Sequence, residues 1–182
     1  MITDNIEAYT FIRNHLVNQK IKAVTADFGD CRYRGGRFVN VPDHDDMTFV
    51  PDGTMCAIGC IISDKYYDSK LEDNNISSDG VEQAVRDSNP DWNWDDNTLE
   101  LLTAMQYIHD DMEIDQWEMA FDLIDERIEV NGELPAYDSI HYIGREVVRR
   151  IRDDKTQKAD MDAQYRAEQL VGEMEKLAKE IV

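Results

Sequence analysis

Apolar residues recur every three or four positions along most of the chain, which is the spacing of a helix face buried against a core. Near the N-terminus, Ile6, Tyr9, Ile12 and Leu16 follow this period. Asp4 precedes them, three positions before another acidic residue, as in a capping box. The pattern predicts a first helix that begins after Asp4 and ends near residue 19.

The stretch from residue 22 to residue 62 has a different pattern, in which glycines and prolines separate short apolar runs. Residues 31–34 and 37–41 flank the double glycine at 35–36. This arrangement predicts a β-hairpin that turns at the two glycines. We therefore expect a small antiparallel β element near residues 25–62.

The helical period returns from about residue 63 onward. Thr98 is expected to open one helix. Asp115, with a glutamate three positions later, forms a second capping-box pattern, and the helix that follows is expected to end at Gly132. The final segment, residues 138–181, reads as one long helix or two nearly continuous ones.

These elements predict a mainly α protein with a small antiparallel β element, an α+β fold, and a long C-terminal helix. We expect an acidic α+β core domain at residues 1–134 and a helical extension at residues 135–182. A helix of this length with a narrow apolar face cannot bury itself alone. It is expected to pack across the domain or against a second copy, which leaves a homodimer through this helix open.

Charge is the strongest compositional signal. The chain of 182 residues has a net charge of −20, and residues 43–133 hold 25 of its 39 acidic residues but only four basic ones. That segment therefore carries −21 and the rest of the chain +1. Self-repulsion at this density costs stability, and a net charge of magnitude about 2–8 is enough to keep a small domain soluble. The acidic block thus favours a binding surface over generic solubility.

Several protein classes are not indicated. No apolar run approaches the roughly 18–20 residues of a membrane span, and the N-terminus lacks the features of a signal peptide. Three cysteines do not indicate a disulfide framework. We therefore expect a soluble, cytoplasmic protein without membrane contact. The chain has no P-loop, no G-x-G-x-x-G and no H-E-x-x-H motif; no cofactor is predicted, and an enzyme is the less favoured class.

Potential metal ligands or acid–base groups occur in the middle of the chain. A Cys₃His zinc site is one interpretation of Cys31, Cys56, Cys60 and either His44 or His109. Buried structural cysteines are the simpler interpretation, since free cysteine is among the most buried residues, and a reactive thiol is the third. His109 followed by Asp110 and Asp111 fits a general base with an orienting carboxylate, or a histidine favoured by the dipole at a helix end.

Arg32, Arg34 and Arg37 surround the double glycine and form the basic cluster of the N-terminal part. They could hold a phosphate or nucleotide with His109 nearby, or pair with the acidic block. The first interpretation defines one class of function, a ligand-binding protein or small enzyme.

Residues 91–96 place two tryptophans among carboxylates, and tryptophan is enriched in binding hot spots. One is expected in the core and the other at an acidic rim, where it would anchor a partner; alternatively, both pack under a loop. Residues 110–118 form a second acidic stretch. The predicted partner-binding residues are Asp91, Trp92, Trp94, Asp95, Asp96, Asp110, Asp111, Glu113, Asp115 and Glu118.

A longer pattern runs through Cys31-x-Tyr33-Arg34-Gly35, Cys56-Ala57-Ile58-Gly59-x-Ile61-Ile62-x-Asp64-x-x-Tyr67, Glu72, and Leu101 … Gln106-x-Ile108-His109-Asp110 … Trp117. Over roughly residues 5–128 the chain resembles a family of small, uncharacterised bacteriophage and bacterial proteins. The resemblance implies a phage or mobile-element origin and assigns no catalytic residue. The density of acid and the C-terminal segment depart from the family pattern.

B-DNA carries one negative charge per about 1.7 Å of its axis. A 91-residue segment with a charge of −21 can present a comparable density. The sequence therefore predicts an acidic protein-interaction module. Its expected role is that of a phage-encoded inhibitor, similar to small anti-restriction and anti-CRISPR proteins, which a basic nucleic-acid-binding host protein accepts as a DNA mimic. Such a module does not itself bind nucleic acid.

Overall fold

The N-terminal helix is capped as its sequence predicts. Helix α1 spans Asn5–Gln19, and the Asp4 carboxylate accepts a 2.8 Å hydrogen bond from the Glu7 backbone N–H. The Glu7 carboxylate reaches back to the Thr3 N–H, one residue before the cap. The helix ends where Lys20 adopts a left-handed conformation with φ of 51°. The predicted bounds of this helix are therefore confirmed.

A computed structural model describes residues 2–24, 31–40 and 47–136, and, beyond these, 142–143, 145–147, 149–158, 161–162 and 164–166. Within these ranges the fold is mainly helical, with one two-stranded antiparallel sheet, which confirms the predicted class. The elements after α1 are β1 (Arg34–Asn40), β2 (Met47–Met55), short 3₁₀ turns at Gly59–Ile61 and Ser69–Leu71, α2 (Asp79–Ser88), α3 (Asp96–Asp111) and α4 (Ile114–Asn131). None of the described helices is both long and apolar enough to cross a bilayer.

The predicted hairpin turn at the double glycine is wrong. β1 runs through both glycines and pairs antiparallel with β2, with a register irregularity between Arg34 and Gly36. The glycines are needed because the chains approach closely: a Cβ on Gly36 would lie 2.8 Å from the Pro51 Cα, and one on Gly35 would collide with the Thr54 hydroxyl. The residues that join the two strands, 41–46, lie outside the described ranges.

Helices α3 and α4 begin slightly earlier than predicted. Asp95 caps α3, and Thr98 is the third helical residue, where its hydroxyl completes the capping box. Glu113, rather than Asp115, caps α4. Gly132 ends α4 with φ of 75°, as predicted. In both helices a carboxylate nearer the N-terminus takes the capping position.

The core forms where α1, α3 and α4 meet. The Tyr9 hydroxyl ties two of these helices together, since it donates to the Asp125 carboxylate at 2.7 Å and approaches the Phe121 carbonyl oxygen at 3.2 Å. His109, in the last turn of α3, stacks on Trp117 of α4, so the packing of these helices also holds that turn in place. The largest fully buried side chains include Ile12, Leu16, Leu102, Met105, Ile108, Trp117, Phe121 and Ile124.

The chain divides into two compact units, Met1–Gly144 and Arg145–Val182. In the second unit, the described residues between 145 and 166 are helical. Hydrogen bonds from Arg149 and Arg150 lower the pKa of the half-buried Glu146 carboxyl to about 2. The remainder of the C-terminal helix predicted over 138–181 lies outside the described residues.

Candidate functional site

A cleft of about 480 Å³ opens beside the last turn of α3. Its opposite wall is formed by residues 31–33, just before β1, and by residues 72–76. The volume lies within the range of about 300–1,000 Å³ that is typical of small-ligand pockets. Among the described residues, the charged groups of the lining are one arginine and four carboxylates, Arg32, Glu72, Asp73, Asp110 and Asp111. The cleft therefore favours a cationic over an anionic occupant.

Three polar side chains of the cleft lining, Cys31, Gln106 and Asp110, meet the buried His109 behind the wall of the cleft. Cys31 Sγ lies 3.5 Å from His109 Nδ1, and the same nitrogen lies 2.6 Å from Asp110 Oδ1. Gln106 Nε2 donates to Cys31 Sγ at 3.2 Å and to Asp110 Oδ2 at 2.6 Å. Gln106 was not among the site residues predicted from the sequence. Its spacing from His109 and Asp110 could have indicated it, because residues at i, i+3 and i+4 share one helix face.

His109 is fully buried, and its ring stacks on Trp117 with centroids 5.4 Å apart. The Ala23 N–H donates to Nε2 at 3.3 Å, so the neutral ring carries its proton on Nδ1 and donates it to Asp110. Burial lowers the pKa of His109, but hydrogen bonds to Asp110 and Cys31 raise it, and its net pKa lies above the ordinary value. The Ala23 N–H opposes this upward shift, because it occupies Nε2 and so disfavours a second proton on the ring. Burial raises the pKa of Asp110, but its hydrogen bonds with His109, Cys31 and Gln106 together outweigh the effect of burial, so that the pKa is lowered.

The geometry of Cys31 is not that of an activated nucleophile. In a Cys–His–acid arrangement the histidine uses one ring nitrogen for the thiol and the other for the acid. Here Cys31 and Asp110 share Nδ1, while a backbone N–H occupies Nε2. Its contact with Cys56, together with burial, raises the pKa of the Cys31 thiol. The thiol is therefore protonated at neutral pH, which speaks against the reactive-thiol interpretation.

The native protein should consequently react slowly with a chromogenic disulfide reagent near pH 8.5, about the ordinary pKa of a free thiol. The thiolate is the attacking species, and burial also raises the pKa of Cys60 to about 12, while Cys56 is fully buried. The reaction releases a coloured thiol from the reagent, and its absorbance is monitored. We expect this release to be at least about tenfold slower with the native protein than with the protein unfolded in guanidinium chloride. A fast native phase that disappears in Cys31→Ser would instead show an activated thiol.

The structure does not gather all four residues of the hypothesised Cys₃His site. Cys60 Sγ donates to a backbone carbonyl within its own turn, and Cys56 Sγ accepts from a backbone N–H. His44 lies outside the described residues. Within the described ranges, one group of three potential ligand atoms lies mutually within 4.8 Å, namely those of Cys31, His109 and Asp110. Asp110 thus takes the place that the hypothesis gave to a second or third cysteine.

The arginines do not form a phosphate cradle. The Arg34 side chain is almost buried, and its guanidinium donates to the Ile62 carbonyl oxygen at 2.6 Å and to the Asp64 carboxylate at 3.1 Å. Arg32 forms an ion pair with an aspartate of the cleft lining at 3.4 Å. Arg37 is exposed on β1. Because Arg34 is committed to the fold, the arrangement does not favour the nucleotide or phosphate alternative.

Glu72 is a buried carboxylate beneath the cleft. It accepts hydrogen bonds from the backbone N–H groups of Tyr33 at 2.9 Å and Arg34 at 3.1 Å, and from the Tyr67 hydroxyl at 2.7 Å. Burying a carboxylate is costly unless it is hydrogen bonded, and here three donors satisfy it. Glu72 therefore pins the start of β1, and with it the position of Cys31.

Neither tryptophan of residues 91–96 is a fully exposed anchor. Trp92 is 6% exposed, and its indole N–H donates to the Asn5 side chain at 3.0 Å. Its ring centroid lies 5.3 Å from that of Trp94, which the Arg86 guanidinium covers at 4.1 Å. Trp92 therefore lies in the core, whereas Trp94 is half-buried against Arg86 of α2 and is not an exposed indole at an acidic rim. The charged groups that this region presents to solvent are its carboxylates, such as Asp91 and Asp95.

The acidic residues selected from the sequence lie at both ends of α3. Asp95 caps its first turn, whereas Asp110 and Asp111 belong to its last. A rise of 1.5 Å per residue over 16 residues separates the two groups by roughly 24 Å. Glu113 and Asp115 continue the second group into the start of α4. Carboxylates at a helix C-terminus oppose the helix dipole, so helix stability does not explain Asp110 and Asp111.

Most of the acidic block faces solvent. Over residues 47–133, every carboxylate with a described side chain is exposed, except Glu72, Glu82 and Asp125. Asp91 is one of the exposed residues, and the side chain of Asp96 is not among those that the structure describes. Some exposed carboxylates form ion pairs, as Glu118 does with a lysine after α1 at 2.9 Å. The negative charge of this segment is therefore a property of the surface.

Comparison with known proteins adds no relative. No protein-family model, no curated protein and no solved structure matches the chain. The resemblance to the bacteriophage family stays a prediction, and the function is argued from the cleft and from the charged surface.

Proposed function

We propose that the chain is an acidic protein-interaction module, encoded by a phage, that acts in the host cytoplasm as an inhibitor of a basic nucleic-acid-binding protein. The observation that carries the proposal is the exposure of the acidic block, in which nearly every described carboxylate of residues 47–133 faces solvent. A protein that grips nucleic acid with Lys and Arg responds to ordered negative charge, whether phosphate or carboxylate supplies it.

Some of these carboxylates are held in place. The Asp95 side chain accepts hydrogen bonds from the Asn97 N–H at 3.0 Å and from the Asn5 amide at 3.1 Å. The hydrogen bond from Asn5 lowers the pKa of Asp95, so this group stays charged down to more acidic pH than an ordinary aspartate. Fixed charges lose little side-chain entropy on binding, which favours recognition by a preformed basic groove.

The junction of α3 and α4 is the proposed centre of the surface. It places Asp110, Asp111, Glu113 and Asp115 within six consecutive residues, and all four are exposed. Two of them lie against the dipole of α3, at a cost to the helix that partner binding would offset. Opposite charges across an interface chiefly raise the association rate and set specificity, and their effect falls with salt.

Replacing Asp111 with Asn, Glu113 with Gln and Asp115 with Asn together should weaken binding to a basic nucleic-acid-binding host protein by about tenfold, since exposed charge pairs contribute roughly 0.5 kcal/mol each. Titration calorimetry at low and moderate salt measures the effect. Gln at position 113 keeps a side chain that can cap α4.

The matched control is the triple variant Glu126→Gln, Glu129→Gln, Glu133→Gln, which removes the same charge near the opposite end of α4. It should change the affinity by less than about threefold. Equal weakening by both triples would mean that net charge alone acts, and an unchanged affinity in the first triple would remove the α3–α4 junction from the interface.

A further inference from the structure

The cleft beside α3 assembles the side chains that zinc prefers. Zinc is bound by cysteine sulfur, histidine nitrogen and carboxylate oxygen, and sites with three protein ligands leave a fourth position for water. The ligand atoms of Cys31, His109 and Asp110 lie mutually within 4.8 Å, and Cys31 is half-buried at the cleft wall. An ion bound there would be reached from solvent through the cleft.

The sulfur–nitrogen spacing in this group fits a tetrahedral ion. With a Zn–S distance near 2.3 Å and a Zn–N distance near 2.0–2.1 Å, sulfur and nitrogen ligands stand about 3.6 Å apart. Cys31 Sγ and His109 Nδ1 are 3.5 Å apart. The carboxylate of Asp110, now hydrogen bonded to Nδ1 at 2.6 Å, would move to about 3.3 Å from it. We infer that Cys31, His109 and Asp110 form a binding site for zinc or a chemically similar soft divalent cation.

The surroundings support a bound cation. Gln106 Nε2 donates to Cys31 Sγ at 3.2 Å, a contact that stabilises a metal-bound thiolate. Gln106 Oε1 is buried and has no hydrogen-bond partner among the described residues, so the side chain that faces Cys31 and Asp110 keeps one acceptor unused. The site also lies at the C-terminal end of α3, where the helix dipole favours positive charge, and beside the Asp111 carboxylate.

Binding requires two proton movements. The Cys31 thiol loses its proton to solvent as the S–metal bond forms, which a coordinating metal achieves even for a thiol of raised pKa. The His109 proton leaves Nδ1, and the neutral ring carries one on Nε2 instead. The 3.3 Å contact from the Ala23 N–H to Nε2 must then open. These changes make metal uptake stronger as pH rises.

The exposed carboxylates of the acidic block also attract divalent cations. The test must therefore separate binding at the Cys31 site from binding to these surface carboxylates. Carboxylates suit hard cations such as Mg²⁺, whereas a thiolate selects softer ions. Cobalt(II) replaces zinc in such sites and gives an intense near-ultraviolet absorption only when a thiolate is bound to it. That absorption reports the Cys31–metal bond directly and does not depend on any partner protein.

Titration of the reduced, full-length protein with cobalt(II) should produce the thiolate absorption at one equivalent. One equivalent of zinc should abolish it, and excess Mg²⁺ should not. Cys31→Ser should eliminate the absorption, whereas Cys60→Ser, which alters a thiol outside the cluster, should retain it. Asp110→Asn should keep the absorption but weaken cobalt and zinc affinity by more than about tenfold.

The inference is overturned if the native protein gives no thiolate absorption, if the absorption survives Cys31→Ser, or if Asp110→Asn binds as tightly as the native chain. Far-ultraviolet circular dichroism verifies that each variant is folded. If Cys31→Ser fails to fold, the Asp110→Asn affinity decides, because that carboxylate is exposed and its neutral analogue keeps its shape. Failure of the metal site leaves the proposed interaction surface unaffected, since the two are measured independently.

Discussion

Replacing Gly59 with alanine should lower the free energy of unfolding by about 3 kcal/mol, toward the upper end of the cost of overpacking. A Cβ at this position would lie 2.6 Å from the Tyr33 carbonyl carbon and 3.0 Å from the Tyr33 Cα, and would collide with the carbonyl oxygen. The obstacle is backbone, which cannot rotate away. Glu72 holds the Tyr33 N–H, and the Tyr33 carbonyl accepts from the Cys56 N–H at 3.4 Å. Denaturant unfolding followed by circular dichroism measures the loss.

Gly80→Ala is the matched control. A Cβ there meets only the end of the Leu71 side chain, at 3.6 Å, and Gly80 lies in the first turn of α2. Alanine is the better helix former by up to about 1 kcal/mol, so this variant should be as stable as the native protein or more stable. Equal losses in the two variants would show that the close approach at Gly59 does not determine the result.

Glu72→Ala should cost about 3 kcal/mol or more. The substitution leaves the Tyr33 N–H, the Arg34 N–H and the Tyr67 hydroxyl without their acceptor, and each unsatisfied buried donor costs roughly 1–3 kcal/mol. Because these bonds position the start of β1, the cleft wall at Cys31 should also shift. Guanidinium unfolding gives the energy, and a heteronuclear NMR spectrum locates the shifted amides.

Two further variants serve as references for the Glu72→Ala result. Glu72→Gln keeps the shape and one strong acceptor, so it should fall between the native protein and the alanine variant. Glu100→Ala removes an exposed carboxylate of α3 and should change stability by less than about 0.5 kcal/mol. A Glu72→Ala variant as stable as Glu100→Ala would mean that the three hydrogen bonds do not stabilise the fold.

The helices were predictable because their signals are local. Asp4 and the apolar period give both ends of α1, and Gly132 gives the end of α4. The residue that caps a helix is harder to predict, because several carboxylates lie near the starts of α3 and α4. The cap is the one whose position lets it pair with the first free N–H groups of the helix. Sequence spacing alone does not distinguish Glu113 from Asp115.

The strands were less predictable because a double glycine has two physical uses. It can supply the conformations of a tight turn, or it can remove side chains where two chains pack closely. Gly35 and Gly36 serve the second use, and the neighbours that require it, Thr54 and Pro51, lie about fifteen or more residues away. No local pattern contains that information.

The cleft was predictable in part. Gln106, His109 and Asp110 share a helix face by their spacing, but Cys31 joins them from more than seventy residues away. The roles of the buried charges depend on tertiary contacts in the same way. For Arg34 the sequence left phosphate binding and pairing with the acidic block both open, and in the fold it is bound to the Ile62 carbonyl and to Asp64 of that block. Sequence supplies the chemistry of the side chains, and the fold decides which of them meet.

The central claim, that the exposed carboxylates occupy a site built for nucleic-acid phosphates, is tested most directly by competition. A basic nucleic-acid-binding host protein is titrated with the chain at several salt concentrations, with and without saturating duplex DNA. We predict that affinity falls steeply as salt rises, and that duplex DNA and the chain exclude each other from the partner. Binding that is indifferent to salt, or a stable ternary complex with DNA, would contradict the claim.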